Sequence, residues 1–138
     1  MSLWARLGQR RLAAEVRFVL GGALAGATAG LPVGVLTGVK GESLFTLVVS
    51  TSHAVGLGWW GGLVWSALFA VHARRTSPPA PVAALPHGAW VAAAAVVLGT
   101  LTAHLLNVGV ARGAIGGVLA GTIAAHLLLA RACRAGAR

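Results

Sequence analysis

Four long apolar blocks, at about 18–39, 44–71, 89–110 and 114–130, occupy most of this 138-residue chain and constrain its fold more than any other feature. A helix needs about 20 apolar residues to cross the hydrocarbon core, where no water is present to satisfy a backbone that does not satisfy itself. The blocks match or approach that length, and helices close their backbone hydrogen bonds locally. The expected fold is therefore all-α, a polytopic membrane protein with four transmembrane helices. The second block is long enough to tilt or to begin outside the hydrocarbon, and the fourth is the shortest. With 57% hydrophobic and 9% charged residues, the chain departs far from a soluble-domain norm of about a quarter charged. Residues 1–17 form an amino-terminal segment and 18–138 the transmembrane domain.

The cations predict the orientation. Arg6, Arg10, Arg11 and Arg17 precede the first block, Arg74 and Arg75 follow the second, and Arg131, Arg134 and Arg138 follow the fourth. Only Lys40 and Arg112 occupy the other two connections. Short loops rich in Lys and Arg stay cytoplasmic, so both termini and the connection at 74–87 are expected on the cytoplasmic side of an inner or plasma membrane. Trp4, Trp65 and Trp90 then fall near the inner head groups, whereas Trp59 and Trp60 lie deeper. The net charge of +9 comes from residues at block edges rather than on one face, which favours lipid head groups over nucleic acid as the partner.

Leu3, Trp4 and Leu7 come together on a helix while Arg6 and Arg10 remain available to water, a pattern that predicts a short interfacial helix before the first span. The Arg residues, the apolar run and Ala27-Thr28-Ala29 imitate a signal peptide, but the run continues past Ala29 and favours an uncleaved span. Pro78, Pro79, Pro81 and Pro86 predict an extended connection between the second and third spans. One cysteine, Cys133, excludes an intramolecular disulfide or a CxxC pair.

Gly22, Gly26, Gly30, Gly34 and Gly38 recur every fourth residue and form one glycine face on the first span. Gly113, Gly117 and Gly121 repeat the device on the fourth, and the run from Gly116 to Gly121 nearly copies that from Gly21 to Gly26. Lipid supplies little hydrophobic drive between helices, so such faces let backbones approach closely. The expectation is that one face packs internally while the other joins a second copy or a different membrane subunit. Pro32 lies inside the first series and predicts a kink or a loosened turn.

No Asp, Glu, Lys or Arg lies well inside a block, since Glu15 and Glu42 both flank one. An intramembrane carboxylate for proton coupling is thus missing, as are a nucleophile with its base and a phosphate loop, and an enzyme is not expected. Histidine remains. Thr46, Ser50 and His53 follow i, i+4, i+7 spacing, as do Thr100, His104 and Asn107, so each trio makes a polar stripe on one helix face. His126 falls in the inner part of the fourth span, and His72 and His87 at the cytoplasmic interface. Facing stripes would make a hydrogen-bonding site, serving as adhesion between helices or as a path for a small solute or ion. The function these features predict is a non-enzymatic subunit without a cofactor, which assembles through glycine faces and forms or supports translocation of a small solute, ion or macromolecule. The alternative is a redox-complex anchor in which His53 and His104 hold a haem or metal.

Overall fold

The computed structural model describes the backbone of residues 3–41, 43–76 and 85–135, with side chains over 13–41, 43–75 and 88–135. It is all-α, with helices α1 (Leu3–Gly38), α2 (Leu44–Thr76), α3 (Leu85–Leu105) and α4 (Val110–Ala135). Each contains a stretch long and apolar enough to cross a membrane: Ala13–Gly38, Leu44–Arg75, Gly88–Leu105 and Val110–Ala135. The chain is accordingly a multi-pass integral membrane protein with four candidate spans.

Element boundaries differ from expectation in every helix. α1 runs without interruption from Leu3 into the first span, so the expected interfacial helix is the opening of α1 rather than a separate element. Its first turns contain no proline and are rich in Arg, Ala and Leu, residues that lose little on entering a helix. The same helix continues through Pro32. α3 stops at Leu105, short of the expected 110, because Asn107 turns left-handed at φ 56°. Val108 N–H then donates to the Ala103 carbonyl at 3.0 Å and Asn107 N–H to that of His104 at 3.1 Å. This pair of bonds is a Schellman closure, in which a left-handed residue satisfies carbonyls the helix end would orphan. α4 begins at Val110 and continues to Ala135, beyond the expected 114–130 at both ends. The start of α2 is capped by Ser43, whose Oγ accepts from Thr46 N–H at 3.2 Å. The connection expected as extended over 74–87 is helical at both ends: α2 continues through Arg74 and Arg75 to Thr76, and α3 starts at Leu85 with Pro86 in its first turn, where a missing N–H costs no helix hydrogen bond. Residues 77–84 between them, and Glu42, lie outside the described residues.

α1 and α2 pair as one antiparallel hairpin and α3 and α4 as another, with α1 against α3 as the main contact between hairpins. α2 touches α3 and α4 only marginally. The larger side chains gather at the end of the bundle that carries Arg17, Arg74, Arg75, Arg131 and Arg134. There Phe18, Phe69, Ala70, Ala73, Ala89, Ala125 and Leu129 form a buried cluster, with Trp65 and Cys133 packed against it. Trp65 stacks on Phe69 with centroids 5.1 Å apart, and Phe18 lies 6.0 Å from Phe69. Glu15 on α1 accepts from Arg74 on α2, with Arg74 Nε at 2.6 Å and the second guanidinium nitrogen completing a bidentate pair. Such a fork fixes the register of the first hairpin at this end.

Candidate functional site

The glycine faces determine which surfaces remain available. On α1, Gly22 lies against Gly62 and Ser66, Gly26 against Gly58, Gly30 against Ala54, Gly34 against Thr51 and Gly38 against Leu47. A Cβ at any of these positions would run into the facing chain. On α4, Gly113 meets Gly99 and Ala103, Gly117 meets Ala95 and Val96, and Gly121 meets Ala92. Both faces are therefore filled within the two hairpins, and the expectation of one glycine face left over for another chain does not match this packing. The reciprocal small residues, Gly58, Gly62 and Gly99, are not part of the faces expected from sequence. Gly58 and Gly62 are themselves spaced by four, which is the signal that points to them.

The polar stripes do not converge. On α2, Thr46 is exposed and its Oγ1 shares a 2.6 Å hydrogen bond with Ser43 Oγ, Ser50 is half-buried, and the exposed His53 pairs Nδ1 with the Val49 carbonyl at 2.9 Å. On α3, Thr100 is buried and donates to the Val96 carbonyl at 2.7 Å, His104 is half-buried, and Asn107 sits in the exposed turn. Nδ1 of His104 is buried without a hydrogen-bond partner. Among the described residues no hydrogen bond or ring contact links the two stripes, so His53 and His104 are not brought together as a ligand pair. The reason lies in the topology: α2 and α3 belong to different hairpins and scarcely touch.

Two openings stand out among the described residues. An apolar cavity of about 410 Å³ runs between the hairpins, walled mostly by glycine and alanine of α1, α2 and α3, with Leu57 and Trp65 on its α2 side and Ala114 and Val118 on α4. A second cleft, of about 490 Å³, separates α2 from α4 and is lined by Trp65, Leu68, Phe69, His72, Thr122, Ile123, His126 and Leu127. Within it Trp65 Nε1 donates to Thr122 Oγ1 at 2.9 Å, and Thr122 in turn donates to the Val118 carbonyl at 2.7 Å. His72 and His126 approach across the same cleft, their ring centroids 5.5 Å apart and their planes inclined at 46°. The sequence gives no sign of this pair as a unit, since the two residues belong to different blocks and nothing in their spacing relates them.

Among the described residues no group of three or more His, Cys, Asp or Glu side chains is placed to hold a metal ion. Comparison with protein-family models, with curated proteins and with solved structures finds no match.

Proposed function

We propose that this chain is a non-enzymatic membrane subunit that self-associates through the outward face of α2 and, with its second copy, lines a polar path for a small solute or ion. The observation that carries the reading is the exposure of Thr46 and His53 on that face. A polar side chain at membrane depth ordinarily faces a protein interior or a water-filled cavity. Here His53 lies on the exposed side of α2, in line with Trp60, which is 65% exposed, while Thr46 sits at the mouth of the same stripe in the first turn, beside Gly41. A neighbouring chain laid along α2 turns this outward stripe into an inward one. Both glycine faces are already occupied, so α2 rather than α1 or α4 supplies the contact. The distribution of cations supports an orientation with both termini cytoplasmic in an inner or plasma membrane.

Oxidative crosslinking of Trp60→Cys in a Cys133→Ser background tests the interface in native membranes. The expected product is a covalent dimer, with native mass spectrometry of the unmodified protein giving a multimer. A bare monomer in both measurements would sink the proposal. His53→Leu is expected to keep the multimer while reducing solute or ion flux in reconstituted vesicles, because the stripe and not the packing is altered.

A further inference from the structure

We propose that His72 and His126 form a two-imidazole site for a borderline divalent transition metal such as Zn²⁺, which clips the two hairpins together across the cleft between α2 and α4. The inference is independent of self-association through the outer face of α2.

Three features lead to it. The first is geometric. Two imidazoles on one tetrahedral ion, with metal–nitrogen bonds of about 2.0 Å, hold their ring centroids about 5 Å apart. The observed separation is 5.5 Å, with the rings inclined rather than stacked flat. The second is the position of the pair. α2 and α4 scarcely touch along their length, yet both histidines line a cleft between them, and both are exposed. The Trp65–Thr122 hydrogen bond holds the same two helices deeper in the cleft, with Thr122 one turn from His126. The imidazoles therefore sit at a crossing already fixed by another contact, which lowers the ordering cost of a bridging ion. The third is access. His72 precedes Arg74 by two residues, about 3 Å along the helix axis, which puts the pair near head-group level where water completes the coordination.

Imidazole suits Zn²⁺, Cu²⁺ and Ni²⁺ and is a poor ligand for Mg²⁺ or Ca²⁺, so the class of ion follows from the donors. Nearby cations oppose it. Arg75 and Arg131 flank the cleft end of their helices, and Arg74, though exposed, is engaged by Glu15. Two ligands against that field bind more weakly than a closed four-ligand structural site.

The experiment uses the full chain purified without a polyhistidine tag and placed in nanodiscs of neutral lipid, titrated with Zn²⁺ by calorimetry. One ion per chain is expected, with affinity weaker by about tenfold or more in His72→Gln and in His126→Gln and unchanged in His53→Gln. Zn²⁺ should also raise the melting temperature of the wild type and of His53→Gln but of neither cleft variant. Should a cleft variant fail to fold, the wild type still decides the matter: Zn²⁺ must protect His72 and His126 together from diethyl pyrocarbonate, read by peptide mass spectrometry. Absence of saturable binding, equal affinity in folded cleft variants, or unprotected histidines would each leave the pair as a simple ring contact and overturn the proposal.

Discussion

At the scale of single residues, glycines that sit side by side in sequence carry opposite structural burdens. Gly21 and Gly22 are neighbours, yet a Cβ on Gly21 would meet nothing within 4 Å, while one on Gly22 would meet Ser66 and the Gly62 carbonyl. Gly26 is the extreme case, because the facing atoms belong to the Gly58 backbone, which has no side chain to swing aside. Gly26→Ala is therefore expected to destabilise the fold by about 1–3 kcal/mol through overpacking. Gly21→Ala should be neutral or slightly stabilising, since alanine is the better helix former and has room. Thermal or denaturant unfolding in detergent, followed by circular dichroism, compares the two. Equal behaviour would mean that α1 and α2 do not meet backbone to backbone.

Among the helices, existence is legible in sequence and termination is not. A block of about 20 apolar residues announces a span because the bilayer imposes a length, and all four blocks form helices. Where a helix ends depends instead on a few backbone groups finding partners, as at Asn107, whose φ of 56° closes α3 before the apolar run is over. Asn107→Gly should preserve that closure, whereas Asn107→Ala should cost about 1–2 kcal/mol for holding a Cβ in left-handed backbone. Melting temperatures of the two variants test this, and an alanine variant as stable as glycine would contradict it. The polar stripes illustrate a second limit. Spacing puts Thr46, Ser50 and His53 on one face, and likewise Thr100, His104 and Asn107, but spacing does not say what a face meets. In water the polar side of a helix is the outside; in lipid both sides are apolar, and hydrophobic periodicity no longer distinguishes them. The His72–His126 pair is hidden for the same reason, since only the crossing of α2 and α4 relates them.

For the molecule as a whole, the distribution of cations supports the proposed orientation with both termini cytoplasmic. With Lys40 alone on the short connection between α1 and α2, that connection should lie outside. A Lys40→Cys substitution in a Cys133→Ser background should react with a membrane-impermeant maleimide in intact cells, whereas native Cys133 should react only after permeabilisation. The reverse pattern would invert the topology. The two-hairpin plan has a separate bearing on biogenesis. Each hairpin completes its closest backbone packing with residues from its own two helices, Gly26 against Gly58 in the first and Gly117 against Ala95 in the second. The inserting machinery can thus release the first pair into lipid as a finished unit while the second is still being synthesised. Joining the pairs is then a later docking step, led by the aromatic cluster at the arginine-bearing end rather than by the glycine faces. A defect in the aromatic cluster would accordingly leave correctly inserted but undocked hairpins, a failure of assembly rather than of insertion.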